Sequence, residues 1–498
     1  MEDNSRLILY LTVWLIAAGA VFLKQLRKNS IGAGLSLAYL INLWILHWVA
    51  STLYLLPGYA YYDPADVLDG LEQSTYAVIA FGVGYVIFGR VLARSSKNSG
   101  QSAIGNITGA TKPPVESVRV GTLQVISIQQ SARNQRHPAG ETLEAGKAPI
   151  SDTKLTNMYI GIGLICYLLS MTIFNSLPTI TALVVGAANL TVVGLMIKSW
   201  LAWRRGSKMF FRLWMALAAA YPVLTIVTQG FLGFGIFNTI LVFTFATGFY
   251  RPRWKLAILG LAGAYLGLSI FVTYMRDRGD IRDTVWGGRS YGSRMDQLKE
   301  TFSQAEFFNI NEDEHLERID LRLNQNWLVG AAVHHIDSGR VKYAMGETLL
   351  QAVISLVPRA IWPGKPVSAG SGDLVTQYTG YYFAEGTSVG VGQVMEFYIN
   401  FGQAGVIFGF LFIGFIVALI DQRAGECFTK SDWLNFACWY LPGITITQIG
   451  GSLTEVVAGA GAAVAVATAV KYFILRGRKG ASGRQAALSA KLGSQSNF

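Results

Sequence analysis

The side chains of this sequence that could do chemistry gather in its second half. The run Tyr274-Met-Arg-Asp-Arg-Gly-Asp-Ile-Arg-Asp283 sets Arg276, Arg278 and Arg282 just beyond an apolar stretch, and Arg289 and Arg294 follow. A guanidinium fork binds phosphate oxygens in pairs, so this cluster suits a lipid diphosphate at a membrane surface. Pairing with Asp277, Asp280 and Asp283, which alternate with the arginines, is the competing reading. A second cluster is Val357-Pro-Arg-Ala-Ile-Trp-Pro-Gly-Lys-Pro366. Its prolines and Pro-Gly turn fix the backbone and aim Arg359 and Lys365, while Trp362 offers an apolar face to lipid or a sugar ring. The bland alternative is an interfacial turn with snorkelling cations. Glycines, hydroxyls and tyrosines then mix over 370–390, a composition suited to carbohydrate. Glu396, Tyr398 and Asn400 sit at the entry to the next apolar run. A carboxylate at such an edge is a functional candidate, although an acid at a helix start also favours the helix dipole.

For proton transfer the candidates are Glu396 and His335, with His334 behind them. Adjacent histidines point to different faces of a helix, so at most one of that pair serves. A plain structural role is the alternative for each. The five histidines (47, 137, 315, 334 and 335) show no ligand spacing, so neither a metal nor another cofactor is expected. Asp63 with Asp66, and the run Glu312-Asp-Glu314, are the acids a metal-dependent enzyme would use; solvated charge is the other reading of the second set. The cysteines, Cys166, Cys427 and Cys438, imply no disulfide framework.

The elements that position these residues are membrane spans. Of 498 residues 52% are hydrophobic and only 14% charged, against about a quarter charged in soluble domains. Soluble enzymes, disulfide scaffolds, disordered chains and single-anchor proteins are excluded. Apolar runs predict an all-α polytopic membrane protein with eleven spans, at about 7–23, 31–56, 75–93, 157–174, 177–197, 213–229, 231–250, 256–274, 394–420, 433–450 and 452–474. The first, Leu7 to Leu23, lacks a basic n-region and a cleavage site and reads as a retained span. The net charge of +11 is explained by basic loops on one side of the bilayer rather than by nucleic acid. Lys and Arg follow the first, third, fifth, seventh and last spans, whereas 57–74 holds Asp63, Asp66, Asp69 and Glu72 and no cation. The N-terminus is therefore expected outside and the C-terminus inside. Residues 1–93 hold three spans, 94–156 a disordered cytoplasmic loop, 157–274 spans four to eight, 275–392 one large outer loop, 393–474 the last three spans, and 475–498 an unstructured tail. Within the outer loop, helical patches are expected over 294–308 and 327–336. The apolar stretch from Glu347 to Val357 is too short to span and is expected to lie on, or dip into, the membrane until Pro358 stops it.

The runs Leu356-Val-Pro-Arg-Ala-Ile-Trp-Pro-Gly-Lys-Pro366 and Gly390-Val-Gly-Gln-Val-Met-Glu-Phe-Tyr-Ile-Asn-Phe-Gly-Gln-Ala-Gly405 resemble the Wzy-type oligosaccharide repeat-unit polymerases, the O-antigen or exopolysaccharide polymerases of bacterial envelopes. The detailed similarity covers about 50 residues, and the many-span layout with one dominant outer loop extends it loosely. Some of these polymerases carry Arg, ten residues, then Gly. Arg276 with Gly287 and Arg359 with Gly370 fit, but both pairs lie here in one loop, where the family has them in separate loops. The resemblance implies an inner-membrane glycosyltransferase, similar to lipid-dependent integral-membrane glycosyltransferases. It would join undecaprenyl-diphosphate-linked oligosaccharides at the outer face by inverting transfer. Arg276, Arg278, Arg282, Arg359, Lys365, Trp362 and Tyr398 would bind substrate, and Glu396 or His335 would take the proton. A flippase and a chain-length regulator are the implied partners, besides the lipid bilayer. A glycan ligase, a metal-dependent lipid-phosphate glycosyltransferase and a lipid-linked glycan transporter are the alternatives. No internal repeat supports the last.

Overall fold

The computed structural model describes residues 2–26, 32–105, 152–171, 178–250, 255–359, 361–366, 370–383 and 389–495. Among these residues every regular element is a helix. The first are α1 (Glu2–Leu26), α2 (Leu35–Leu43), α3 (Pro64–Gly105), α4 (Asp152–Leu169), α5 (Pro178–Ala188) and α6 (Leu190–Arg204). There follow α7 (Lys208–Ala219), α8 (Tyr221–Gln229), α9 (Leu232–Thr247) and α10 (Lys255–Arg276). The long polar segment builds α11 (Arg278–Trp286), α12 (Tyr291–Ser303), α13 (Asp313–Leu323), α14 (Asn326–Asp337), α15 (Glu347–Ser355) and α16 (Ser371–Thr379). The chain closes with α17 (Gln393–Thr429), α18 (Trp433–Ile446) and α19 (Leu453–Gln495).

Seven described stretches are long and apolar enough to cross a membrane: 3–25, 35–55, 64–89, 180–204, 208–229, 393–429 and 453–477. The protein is a helical membrane protein. Helices α4, α9, α10 and α18 cover most of the stretches expected at 157–174, 231–250, 256–274 and 433–450. The expected patches at 294–308 and 327–336 correspond to α12 and α14, while α11, α13 and α16 lack the long apolar period that would announce them. The stretch at 35–55 is not one α-helix. After α2 it widens to a π-helix over Trp44–Val49 and tightens to 3₁₀ over Ala50–Leu55.

Contacts divide the chain into two units, Met1–Gly89 with Ser151–Lys471, and Arg90–Ile150 with Tyr472–Phe498. In the second, helix is described over 90–105 and 472–495. The tail expected to lack structure is thus helical to Gln495, in a stretch rich in Ala, Leu, Gln, Lys and Arg, which favour helix. Most of the expected loop, 106–151, lies outside the described residues.

In the first unit α17 is the central fastener. Its helix breaks at Phe401 and Gly402, where Gly402 takes φ 61° and ψ −151°, a conformation that suits glycine. Two buried carboxylates on α17 cap other helices. Asp421 accepts from Ala33 N (2.7 Å), Leu35 N (3.1 Å) and Ser36 Oγ (2.7 Å) at the start of α2. Glu396 accepts from Leu453 N (2.6 Å), the first residue of α19. Each satisfies backbone donors that a helix start otherwise leaves open, a strict requirement away from water.

Candidate functional site

The segment 275–392 is locked onto the spans where α14 crosses α3. A side chain on Gly70 would place its Cβ 1.9 Å from Asn326 O, and one on Gly330 would place it 1.8 Å from Asp66 O. Two backbones therefore touch, which only glycine permits. Asn326 fixes the other side of the helix start: its Oδ1 lies 2.7 Å from His47 Nδ1, and its Nδ2 donates to His47 O and Ser51 Oγ in the widened second stretch. The crossing brings His334, one turn beyond Gly330, over Asp66 and Asp69. His334 Nδ1 lies 2.6 Å from Asp66 Oδ1, and Nε2 lies 2.8 Å from Asp69 Oδ2. Both ring nitrogens donate at once only in the protonated imidazole. Asp66 is buried and Asp69 partly open, with side chains 9% and 28% exposed.

Beside this pair of acids stands an aromatic shelf. Tyr62 stacks on Trp327 with centroids 4.1 Å apart and planes 7° apart, and Tyr381 meets Trp327 edge-on at 5.3 Å. Tyr61 and Tyr381 are exposed. The shelf is supported from behind by Asp320, fully buried, which accepts from Tyr54 Oη (2.8 Å) and Tyr59 Oη (3.1 Å). Burial pushes the Asp320 carboxyl up, against the hydrogen bonds from Asn324, Tyr54 and Tyr59.

The arginines divide into three kinds. Arg276 Nε donates to Asp277 Oδ1 (2.7 Å) and Nη1 to Glu306 Oε1 (2.6 Å), with Gln304 O and Thr301 O also accepting. Arg318 and His315 complete that knot around Glu306, and burial's upward push on Glu306 is outweighed by the bonds from Arg276, His315 and Arg318. Arg282 and Arg322 are the second kind. Neither has an ion pair among the described residues, and the Nε of each is buried with no acceptor. Arg282 lies over the Phe231 and Trp286 rings at 4.5 and 5.1 Å. Both arginines bear electrostatically on Tyr274, and Arg322 also on Tyr62 of the shelf. Burial draws the Arg322 guanidinium down from its ordinary range. Arg278 is half-buried and, among the described residues, likewise without an ion pair. Arg294 donates to the carbonyls of Arg289, Val285 and Val227.

The third kind serves backbone carbonyls in the turn after α15. Lys365 Nζ donates to Ser355 O (3.2 Å) and Val357 O (3.0 Å), and Arg359 to Lys365 O (3.0 Å) and Pro366 O (3.5 Å). Trp362 is exposed. Leu356 reaches Gly461, two turns into α19: a Cβ there would lie 2.8 Å from its Cδ2. Glu396, fully buried, has its cap bond on one oxygen and no donor on the other. Tyr398 is buried beside Tyr343, ring centroids 6.3 Å apart. His335 is half-buried, its ring 3.0 Å from where a Cβ on Gly380 would sit. Of the residues named from sequence, then, Arg282 lies in the unpaired group, Arg276 in the knot, Arg359 and Lys365 in the turn, and Glu396 in a helix cap. Arg322 escaped notice because nothing local marks it. The shelf had a signal, Tyr59-Ala-Tyr-Tyr62 beside Asp63, but no sequence period joins it to Trp327. Among the described residues no group of three or more His, Cys, Asp or Glu side chains is placed to hold a metal ion. Asp66 and Asp69 face opposite edges of one imidazole rather than a common point.

A family model described as a domain of unknown function, DUF8712, matches residues 141–432. The chain belongs to the DUF8712 family. The matched region carries Arg282, Arg322, Trp327 and His334, whereas Asp66, Asp69 and Tyr62 precede it. No curated protein matches the DUF8712 chain, and no solved structure does.

Proposed function

We propose that this DUF8712 protein is a polysaccharide polymerase of the bacterial inner membrane. It joins undecaprenyl-diphosphate-linked oligosaccharide units at the outer face by inverting glycosyl transfer. In this reading the helices form eleven spans, the N-terminus is periplasmic, the C-terminus cytoplasmic, and 275–392 is the large periplasmic loop, as in lipid-dependent integral-membrane glycosyltransferases.

The observation that carries the reading is the pair Arg282 and Arg322, which bear on Tyr274 without a carboxylate partner, whereas Arg276 and Arg318 in the same segment are tied to acids. Half-buried cations with unused donors suit an anion, and a diphosphate leaving group develops charge that such donors stabilise without a metal. The adjoining shelf of Tyr62, Trp327 and Tyr381 gives a sugar ring aromatic faces to lie on. Arg278 is a further candidate phosphate ligand. Arg276, Arg359 and Lys365 hold the loop in shape beside the site, and Trp362 meets lipid.

Deletion followed by sizing of surface glycan tests the reading. Loss of long chains with single units retained supports a polymerase. Loss of all display makes the protein a ligase or flippase instead. Purified protein with lipid-linked repeat units is expected to form polymer in excess chelator; abolition by EDTA with rescue by magnesium or manganese would favour the metal-dependent alternative.

A further inference from the structure

We propose that Asp69 is the proton acceptor of the transfer reaction, held for that task by His334 and Asp66. The proposal rests on the glycosyltransferase reading above. Asp69 has one carboxylate oxygen on His334 Nε2, and its side chain is partly open to solvent. The ring's other nitrogen is held by Asp66, whose side chain is the more buried of the two. The imidazole is thus fixed at both edges, and the second oxygen of Asp69 is aimed by a rigid scaffold rather than by rotamer chance. That scaffold is the close approach of two backbones, Gly70 against Asn326 O and Gly330 against Asp66 O, which sets α14 directly on α3.

A second observation also points to a polar ligand here. One turn beyond Asp69 on the same face of α3, the side-chain oxygen of Gln73 is buried and has no donor among the described residues. The shelf adjoins the same place, since Tyr381 lies within electrostatic reach of Asp66 and Asp63. Other charged or titratable groups that bear on the trio are Asp63, through Asp66, and Arg6 and Tyr398, both through Asp69.

The acceptor sugar's hydroxyl donates to the free oxygen of Asp69. Its oxygen attacks the anomeric carbon of the donor chain while the bond from that carbon to the diphosphate oxygen breaks. The electron pair of that bond leaves with the diphosphate. The hydroxyl proton ends on Asp69 and passes to water afterwards. His334 and Asp66 take no part in the proton transfer, so they are positioning residues and Asp69 alone is catalytic.

The test uses the full-length protein in native membranes with lipid-linked repeat units, assayed over a range of pH. Asp69→Asn keeps the size and one acceptor for His334 and is expected to lower the rate about 100-fold or more. Asp69→Glu restores a carboxylate and should recover part of that rate, with its acid limb displaced from the wild-type one. His334→Gln retains one donor and should fall between wild type and Asp69→Asn. Retention of photo-crosslinking to lipid-linked donor in Asp69→Asn would show that binding survives. Asp69→Asn within a few-fold of wild type overturns the proposal while leaving the polymerase reading intact. So does an equal loss in Asp69→Asn and Asp69→Glu with an unmoved pH profile, which marks a structural tie. No polymer from the wild type, in membranes or in cells, overturns the reading and this proposal with it.

Discussion

Two groups of arginines lie close together in the segment 275–392 and do opposite work. Around Glu306, Arg276, Arg318 and His315 bind carboxylates at 2.6–3.0 Å and tie the end of α10 to α13. Around Tyr274, Arg282 and Arg322 keep buried donors without acceptors. The side-chain type is the same, and each of these arginines has an acid within two residues of it in the sequence. What differs is whether an acid stands opposite in space. Arginine richness in a loop therefore says little about anion binding until each guanidinium's partners are known.

The sharpest way to break that comparison is to truncate both unpaired arginines. On the proposed reading, Arg282→Ala with Arg322→Ala removes charge-assisted contacts to a diphosphate and should cost about 2–4 kcal/mol in the transition state, or roughly 30- to 1000-fold in rate. Protein levels in the membrane should stay normal, and polymer length read by gel is the measurement. Normal polymer would place the anion elsewhere.

The knot should answer in the other currency, stability. Arg276→Ala leaves Asp277 and Glu306 short of a donor and should destabilise by about 1–3 kcal/mol, seen as a lower melting temperature in detergent. Polymerisation per folded molecule should change little. A variant that melts normally but makes no polymer would move Arg276 into the site.

Acidification should show a smaller effect with a definite sign. The Arg276 guanidinium holds the Asp277 carboxyl below its ordinary range, and Arg276, His315 and Arg318 outweigh burial to hold Glu306 below its own. A depressed folded-state value gives stability that is full above the unfolded-state value and lost as pH falls through the folded one. Melting temperature should therefore decline toward acid pH, and Asp277→Asn with Glu306→Gln should flatten the decline. An unchanged acid limb in that variant would trace the decline to other carboxyls.

Arg359→Ala should matter least. Its donors go to carbonyls of an exposed turn, so polymer yield should stay within about twofold of wild type. Complete loss would bring the turn into the site.

Much of the frame was legible from local chemistry. Runs of apolar residues announced helices because a buried backbone must bond to itself, and Pro358 ended the short apolar stretch because it has no amide hydrogen. The conversion of the second stretch from α to π and 3₁₀ left no such mark, since Asn326, far along the chain, bonds the widened turn. Glu396 was visible as an acid at the entry to an apolar run and Asp421 went unmarked, and only the fold shows that each caps a different helix. The pattern is the same at the candidate site. Sequence alone determined that this is a helical membrane protein, with cations and aromatic side chains collected in one long polar segment. It could do so because hydropathy and backbone chemistry act over neighbouring residues. Tertiary structure decided which arginines are neutralised, which tyrosine meets Trp327, and which histidine stands between two acids. Those outcomes depend on contacts between residues far apart in the chain, and at the crossing of α3 and α14 on two glycines small enough to let the backbones meet.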